Sequence, residues 1–84
     1  MKHFVYILFS ESANRFYIGA TQDIAQRLQR HNTGASKSTK SGRPWVVVHT
    51  EEFLSKSEAL KREIQIKKKK SRIYIEWLIQ SSLT

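Results

Sequence analysis

Residues 3–32 read HFVYILFSESANRFYIGATQDIAQRLQRHN, and three elements separate within them. His3 to Phe9 is nearly all apolar and rich in β-branched and aromatic residues, which predicts a strand. Strand alternation puts Phe4, Tyr6 and Leu8 on one face and Val5, Ile7 and Phe9 on the other, so this strand is expected to be covered on both sides. Ser10 to Asn14 carries turn chemistry. Arg15 to Ala20 reads as a second strand and hairpin partner, in which Gly19 marks a bulge or a close backbone approach. Thr21 is expected to cap a helix from about Gln22 to His31, with Asp23 favouring the positive end of the helix dipole and Asn32 and Gly34 suiting its end.

Outward from this stretch, TGASKSTKSGR is polar, basic and without periodicity, which predicts a flexible loop that Pro44 ends. Trp45 to Phe53 reads as a third strand. Ser55 and Glu58 make a capping box for a second helix reaching about Lys69. Ser71 suits the cap of a third helix, RIYIEWLIQ, whose Ile73, Trp77 and Ile79 or Leu78 are expected to pack on the body. The final SSLT is expected to fray. The order is β-β-α-β-α-α, and residues 1–84 are expected to form a single domain.

Composition narrows the function classes. Fifteen Lys and Arg against seven Asp and Glu give a formal charge of +8, a field that favours nucleic acid as partner, with an anionic membrane second and a merely basic soluble protein as the plain alternative. The absence of cysteine excludes disulfides, thiolate metal sites and a Cys nucleophile. Packing alone must hold the fold, which fits a cytoplasmic location. The apolar run near the start is too short for a signal peptide, and no stretch approaches the roughly 20 apolar residues of a membrane span.

Several polar side chains fall where a plain fold would not put them. Ile24, Arg27, Leu28 and His31 form one stripe of the first helix, so Arg27 and His31 are carried inward or to the rim of a groove. A buried Arg needs an acidic partner, a carbonyl cage or a phosphate. In the second helix Ala59, Leu60, Glu63 and Ile64 share a stripe followed by Lys67, while Lys61 and Arg62 should face out. The simplest alternative is an ordinary Glu63–Arg27 ion pair, with Tyr6 and Tyr17 as core residues whose hydroxyls reach the surface and His31 as a cap or surface residue. Trp45 and Trp77 read as core rather than as stacking platforms for bases.

Val5-Tyr6-Ile7, then Tyr17-Ile18-Gly19, then Arg27 and His31-Asn32 within RLQRHN, then Glu63 within EALKREIQIKK, resemble in order and spacing the motif positions of the GIY-YIG nucleases. Val5 replaces the first Gly. The chain looks most like small stand-alone bacterial members and is similar to the N-terminal nuclease domain of the excision-repair nuclease subunit. The resemblance implies an α+β fold, a three-stranded antiparallel sheet flanked by helices, and hydrolysis of phosphodiester bonds, DNA before RNA. It implies Tyr6 as activating base or nucleophile, and Tyr17 positioning water or the scissile phosphate. Arg27 would stabilise the phosphate, His31 assist by hydrogen bonding, and Glu63 be the protein ligand of one Mg²⁺ or Mn²⁺. Such a Tyr6 base calls for a pKa drop of about 3 units, supplied by Arg27, His31 and the metal. Some members carry Lys where this chain has Ala20, and Lys37 or Lys40 is a candidate source of the missing amine.

Lys37, Lys40, Arg43 and Lys67 are the candidate backbone-tracking cations, against plain loop solvation and, for the Lys67–Lys70 run, favourable helix-dipole charge. Three functions follow: a metal-dependent endonuclease of structure-selective or low specificity, a non-catalytic nucleic-acid-binding module, or a basic adaptor for a protein partner.

Overall fold

The computed structural model describes residues 1–82. Strands β1 (His3–Ser10), β2 (Arg15–Thr21) and β3 (Trp45–Phe53) form one antiparallel sheet in the order β2-β1-β3. Helices α1 (Ile24–Asn32), α2 (Lys56–Lys69) and α3 (Arg72–Ser81) complete the expected β-β-α-β-α-α order. None of these helices is long and apolar enough to cross a membrane.

The central strand β1 is covered on both faces, as its two apolar sets require. Val5 and Ile7 pack with Ala59 and Ile66 of α2 and Leu78 of α3. Tyr6 and Leu8 pack on the other side with Trp45, Tyr17, Val47 and Leu28 of α1. A bulge near Val48 lets Ile7 pair with His49 while Leu8 pairs with Val47. The site is thereby bracketed: α1 lies over one face, α2 under the other, and β2 forms a free edge between them.

The helices differ from the sequence reading in their caps and faces. Asp23, not Thr21, caps α1, because its Oδ1 accepts the Gln26 N–H at 3.0 Å; Thr21 ends β2, its hydroxyl accepting the Asp23 N–H at 3.1 Å. Ser55 and Ser71 cap α2 and α3 as expected. In α2, Leu60 and Ile64 are exposed and Ala59 and Ile66 are buried, so the inward face is rotated toward Arg62 and Glu63. Arg62 turns inward because Glu51 receives it at two points, Nε at 2.7 Å and Nη2 at 3.1 Å, while its Nη1 donates to Tyr74 at 3.1 Å. Burial alone would raise the Glu51 carboxyl, but hydrogen bonds from Arg62 and His49 outweigh it and hold the group below its ordinary value. This bidentate pair ties β3 to α2 and, through Tyr74, to α3.

In α3, Leu78 is buried and Tyr74 and Ile75 are half-buried, whereas Ile73 and Trp77 face solvent. Trp77 stacks on Tyr74 at the surface, 5.9 Å between ring centres, so it is not a core residue; Trp45 is. Of the SSLT segment, Ser81 lies in the last turn of α3 and Ser82 caps it; Leu83 and Thr84 lie outside the described residues.

The segment from Thr33 to Arg43 is fastened rather than free. It holds a 3₁₀ turn, Lys40–Gly42, and a fully buried Thr39. Trp45 Nε1 donates to the Thr39 carbonyl at 2.7 Å, Arg15 Nη2 donates to the Ser38 carbonyl at 3.2 Å, and Arg43 Nε donates to the Lys40 carbonyl at 2.9 Å. Gly42 leaves room for the Trp45 indole, which a Cβ would strike.

Candidate active site

Tyr6 stands opposite Gly19 on the neighbouring strand, and its phenol lies over that glycine. A Cβ at residue 19 would collide with Tyr6 Oη and stand 2.5 Å from Cζ. The bare backbone therefore lets the phenol cross β2 toward the sheet's free edge. Gly19→Ala is expected to destabilise the protein by about 1–3 kcal/mol, the usual cost of overpacking, and to cut any cleavage sharply because the phenol must move. Thermal melts and cleavage rates read the two effects separately.

At the end of the phenol four groups meet. Tyr6 Oη and His31 Nε2 are 3.0 Å apart, and both residues are buried. His31 Nδ1 is 2.7 Å from the Thr39 hydroxyl, which donates its hydrogen to the Ser36 carbonyl at 3.4 Å. Having spent its hydrogen there, Thr39 accepts from His31 Nδ1–H. The imidazole Nε2 is then a lone-pair acceptor aimed at the phenol, and Tyr6 donates to it. Arg27 is half-buried on the same helix as His31, and its charge acts on the phenol. Tyr17 lies beside them, its ring 4.8 Å from the His31 ring and 6.4 Å from that of Tyr6.

Glu63 stands on α2. Although α2 packs on the face opposite α1, the Glu63 charge acts on the phenol, consistent with a carboxylate close to the free edge of β2. Its side chain is 16% exposed, so it does not point into bulk water, and Lys67 Nζ donates to it at 2.8 Å. The ion pair of Glu63 is thus with Lys67 and not, among the described residues, with Arg27.

The electrostatics reverse one expectation. Tyr6 is pushed up to about 12, by burial first and the neighbouring Tyr17 second, with Arg27 opposing and Glu63 adding. Burial outweighs the guanidinium, so the resting phenol is firmly protonated. Nor is His31 a cation: burial, then the charges of Arg27 and Arg30, lower it below 6.5. The imidazole available to Tyr6 is a neutral base.

The donor set bears on a metal. Among the described residues no group of three or more His, Cys, Asp or Glu side chains gathers. A lone, largely shielded carboxylate fits one hard, mostly hydrated ion such as Mg²⁺ or Mn²⁺, whose remaining positions phosphate oxygens and water would take. Lys67, half-exposed, is free to swing away from Glu63 when such an ion is held.

Lys37, Lys40 and Arg43 are exposed on the fastened segment that Thr39 joins to the site. Thr39 itself was missed by sequence reading: its burial comes from the segment folding over His31, and a Thr in a polar run gives no local sign of that. Asn32 did carry a sign, standing beside His31 in the motif. It clamps β3 to α1, Nδ2 donating to the Trp45 carbonyl at 3.0 Å and Oδ1 accepting the Trp45 N–H at 2.6 Å.

Known proteins share this sequence and fold. The family described as the GIY-YIG catalytic domain matches residues 2–76. A UPF0213 protein of Staphylococcus haemolyticus is 46% identical over 67 residues, covering 79% of this chain and 80% of that protein. A UPF0213 protein of Syntrophus aciditrophicus is 51% identical over 69 residues, covering 80% of this chain and 78% of its own. The solution NMR structure of a UPF0213 protein from Bacillus halodurans superposes with a TM-score of 0.59 at 36% identity, covering 95% of this chain and 84% of that one.

Proposed function

This chain belongs to the GIY-YIG catalytic-domain family, and on that premise we propose that it is a single-domain, metal-dependent endonuclease that hydrolyses phosphodiester bonds in DNA. The observation that carries this reading is the Tyr6 hydroxyl 3.0 Å from the neutral His31 Nε2, with the Arg27 and Glu63 charges acting on the same phenol.

In this reading Tyr6 works as a relay. Its pKa near 12 makes a free phenolate at neutral pH costly. Passing its proton to His31 as it takes one from the attacking water avoids that species. His31 is set for the task because Thr39 fixes the tautomer that leaves Nε2 open. Arg27 gives the scissile phosphate a planar pair of donors and stabilises the charge that grows on its oxygens. Tyr17 borders the same space and orients the water or phosphate. Glu63 would hold the divalent ion, Mg²⁺ or Mn²⁺, which when bound supplies Lewis-acid stabilisation of the leaving oxygen. Lys37, Lys40 and Arg43 flank the substrate backbone, and Lys67 joins them once released from Glu63.

We infer structure-selective or low sequence specificity for this domain. The Glu63–Lys67 ion pair favours one second reading, a nucleic-acid-binding module without turnover, since that pair already satisfies the carboxylate.

A nicking assay on branched DNA, single-stranded DNA and RNA, with Mg²⁺ or Mn²⁺ across pH, separates the two. The nuclease reading expects metal-dependent cleavage whose rate falls on the acid side below 6.5, because His31 must be neutral to accept the proton. Binding without cleavage in either metal supports the second reading instead.

A further inference from the structure

We propose that the groove running from Ala20 to Lys56, beside the catalytic residues, is a subsite for one unstacked nucleotide of a single strand, and that Lys56 holds that nucleotide's phosphate. The inference rests on the nuclease reading and extends it to the strand flanking the cleaved bond. The groove measures about 400 Å³ and shares Arg27 with the catalytic cluster, so a strand whose phosphate meets Arg27 can continue directly into it. Its volume lies within the range of about 300–1,000 Å³ that small-molecule sites occupy.

Ala20 opens the space. It pairs with Val5 and points to the α2 side of the sheet, where its methyl leaves unfilled the volume that a longer side chain would take. Lys56, the first residue of α2, lines the same groove and brings a cation to it. Lys56 takes part in none of the ion pairs among the described residues. Its amine is therefore available to a phosphate without first breaking another contact.

The remaining lining suits a base more than a second phosphate. Asp23 also borders the groove and repels phosphate there, its Oδ1 engaged by the Gln26 N–H. The Gln26 amide flanks it with the donor and acceptor pair that base edges match, while the Gln22 amide nitrogen is engaged with His3 and Met1 and leaves its carbonyl to the groove. Leu60, partly exposed, provides apolar surface for a sugar or base face.

The test is fluorescence anisotropy of a short labelled single-stranded DNA, in chelator and over a range of salt, with wild type, Lys56→Ala, Lys61→Ala and Ala20→Met. Lys61 is exposed on the same helix but does not line the groove. Lys56→Ala is expected to weaken binding and to lower the slope of log K against log salt by about 0.7, the loss of one single-strand phosphate contact. Lys61→Ala should change neither. Ala20→Met should weaken binding with the slope unchanged, because it fills the groove and removes no charge. Should Ala20→Met fail to fold, the two exposed lysine variants decide alone. Equal behaviour of Lys56→Ala and Lys61→Ala, or wild-type affinity in a folded Ala20→Met, overturns the subsite. Wild-type protein that nicks DNA while Lys56→Ala binds normally overturns the subsite only; wild-type protein that binds no DNA overturns the nuclease reading with it.

Discussion

Tyr6→Phe lowers the cleavage rate by roughly 10²–10⁴-fold, the span usual for a lost proton-transfer group. The substitution removes one oxygen and keeps the ring that packs with Leu8 and Trp45, so the fold persists. It leaves the buried His31 Nε2 without its donor. An unsatisfied buried group costs about 1–3 kcal/mol. For a domain of this size each kcal/mol moves the melting temperature by roughly 4–8 °C, so a scanning melt can show that the variant is weakened yet folded at the assay temperature. Single-turnover cleavage then reads the chemical loss separately.

Glu63→Gln is expected to cost about 10³-fold in metal-supported cleavage, roughly 4 kcal/mol of transition-state stabilisation. Its effect on stability should be small, within about 0.5 kcal/mol, because the Lys67 partner is half-exposed and such i,i+4 pairs contribute little. DNA binding measured in chelator should persist, since the substitution removes a negative charge from a groove that must accept phosphate. A second signature is spectroscopic. Glu63 is one of the influences raising the Tyr6 phenol, so its removal should move the tyrosinate absorbance attributable to Tyr6 toward lower pH. A cleavage loss accompanied by equal loss of folding would assign Glu63 a structural role.

The strands, the order of elements and two of the three helix caps were legible in the sequence, for one physical reason: they depend on local chemistry. Alternation on β1, the Ser55 and Ser71 hydroxyls and the turn residues act within a few positions of themselves. Asp23 displaced Thr21 as the α1 cap because Thr21 is engaged with the Asp23 amide, a competition between neighbours that composition does not rank. The inward faces of α2 and α3 were legible only in part: Ala59, Glu63 and Leu78 turn inward as their spacing suggests. Apolar periodicity pointed to Leu60, Ile64, Ile73 and Trp77, while the Glu51–Arg62–Tyr74 network turned other residues inward. An ion pair across elements outranks periodicity when both helices are short and amphipathic by only a few residues.

The site divides in the same way. The residues brought together at the phenol, Arg27, His31 and Tyr17 around Tyr6 with the Glu63 charge acting on it, are those the motif spacing named. Their protonation states were not accessible from spacing. Counting nearby cations suggested an acidified tyrosine, but burial of Tyr6 outweighs Arg27, and burial deprives His31 of its charge. Thr39, which selects the His31 tautomer, belongs to a segment whose path is set by Trp45 and Arg15 from distant strands.

The central claim is that Tyr6 and Glu63, borne by different elements on opposite sides of the sheet, serve one reaction centre. A double-mutant cycle of single-turnover DNA cleavage, using wild type, Tyr6→Phe, Glu63→Gln and the combined variant, tests it most directly. Groups that act as a unit are strongly non-additive, so the combined variant should cut about as slowly as the slower single variant. Losses that multiply, or cleavage that survives both substitutions, would contradict a shared centre.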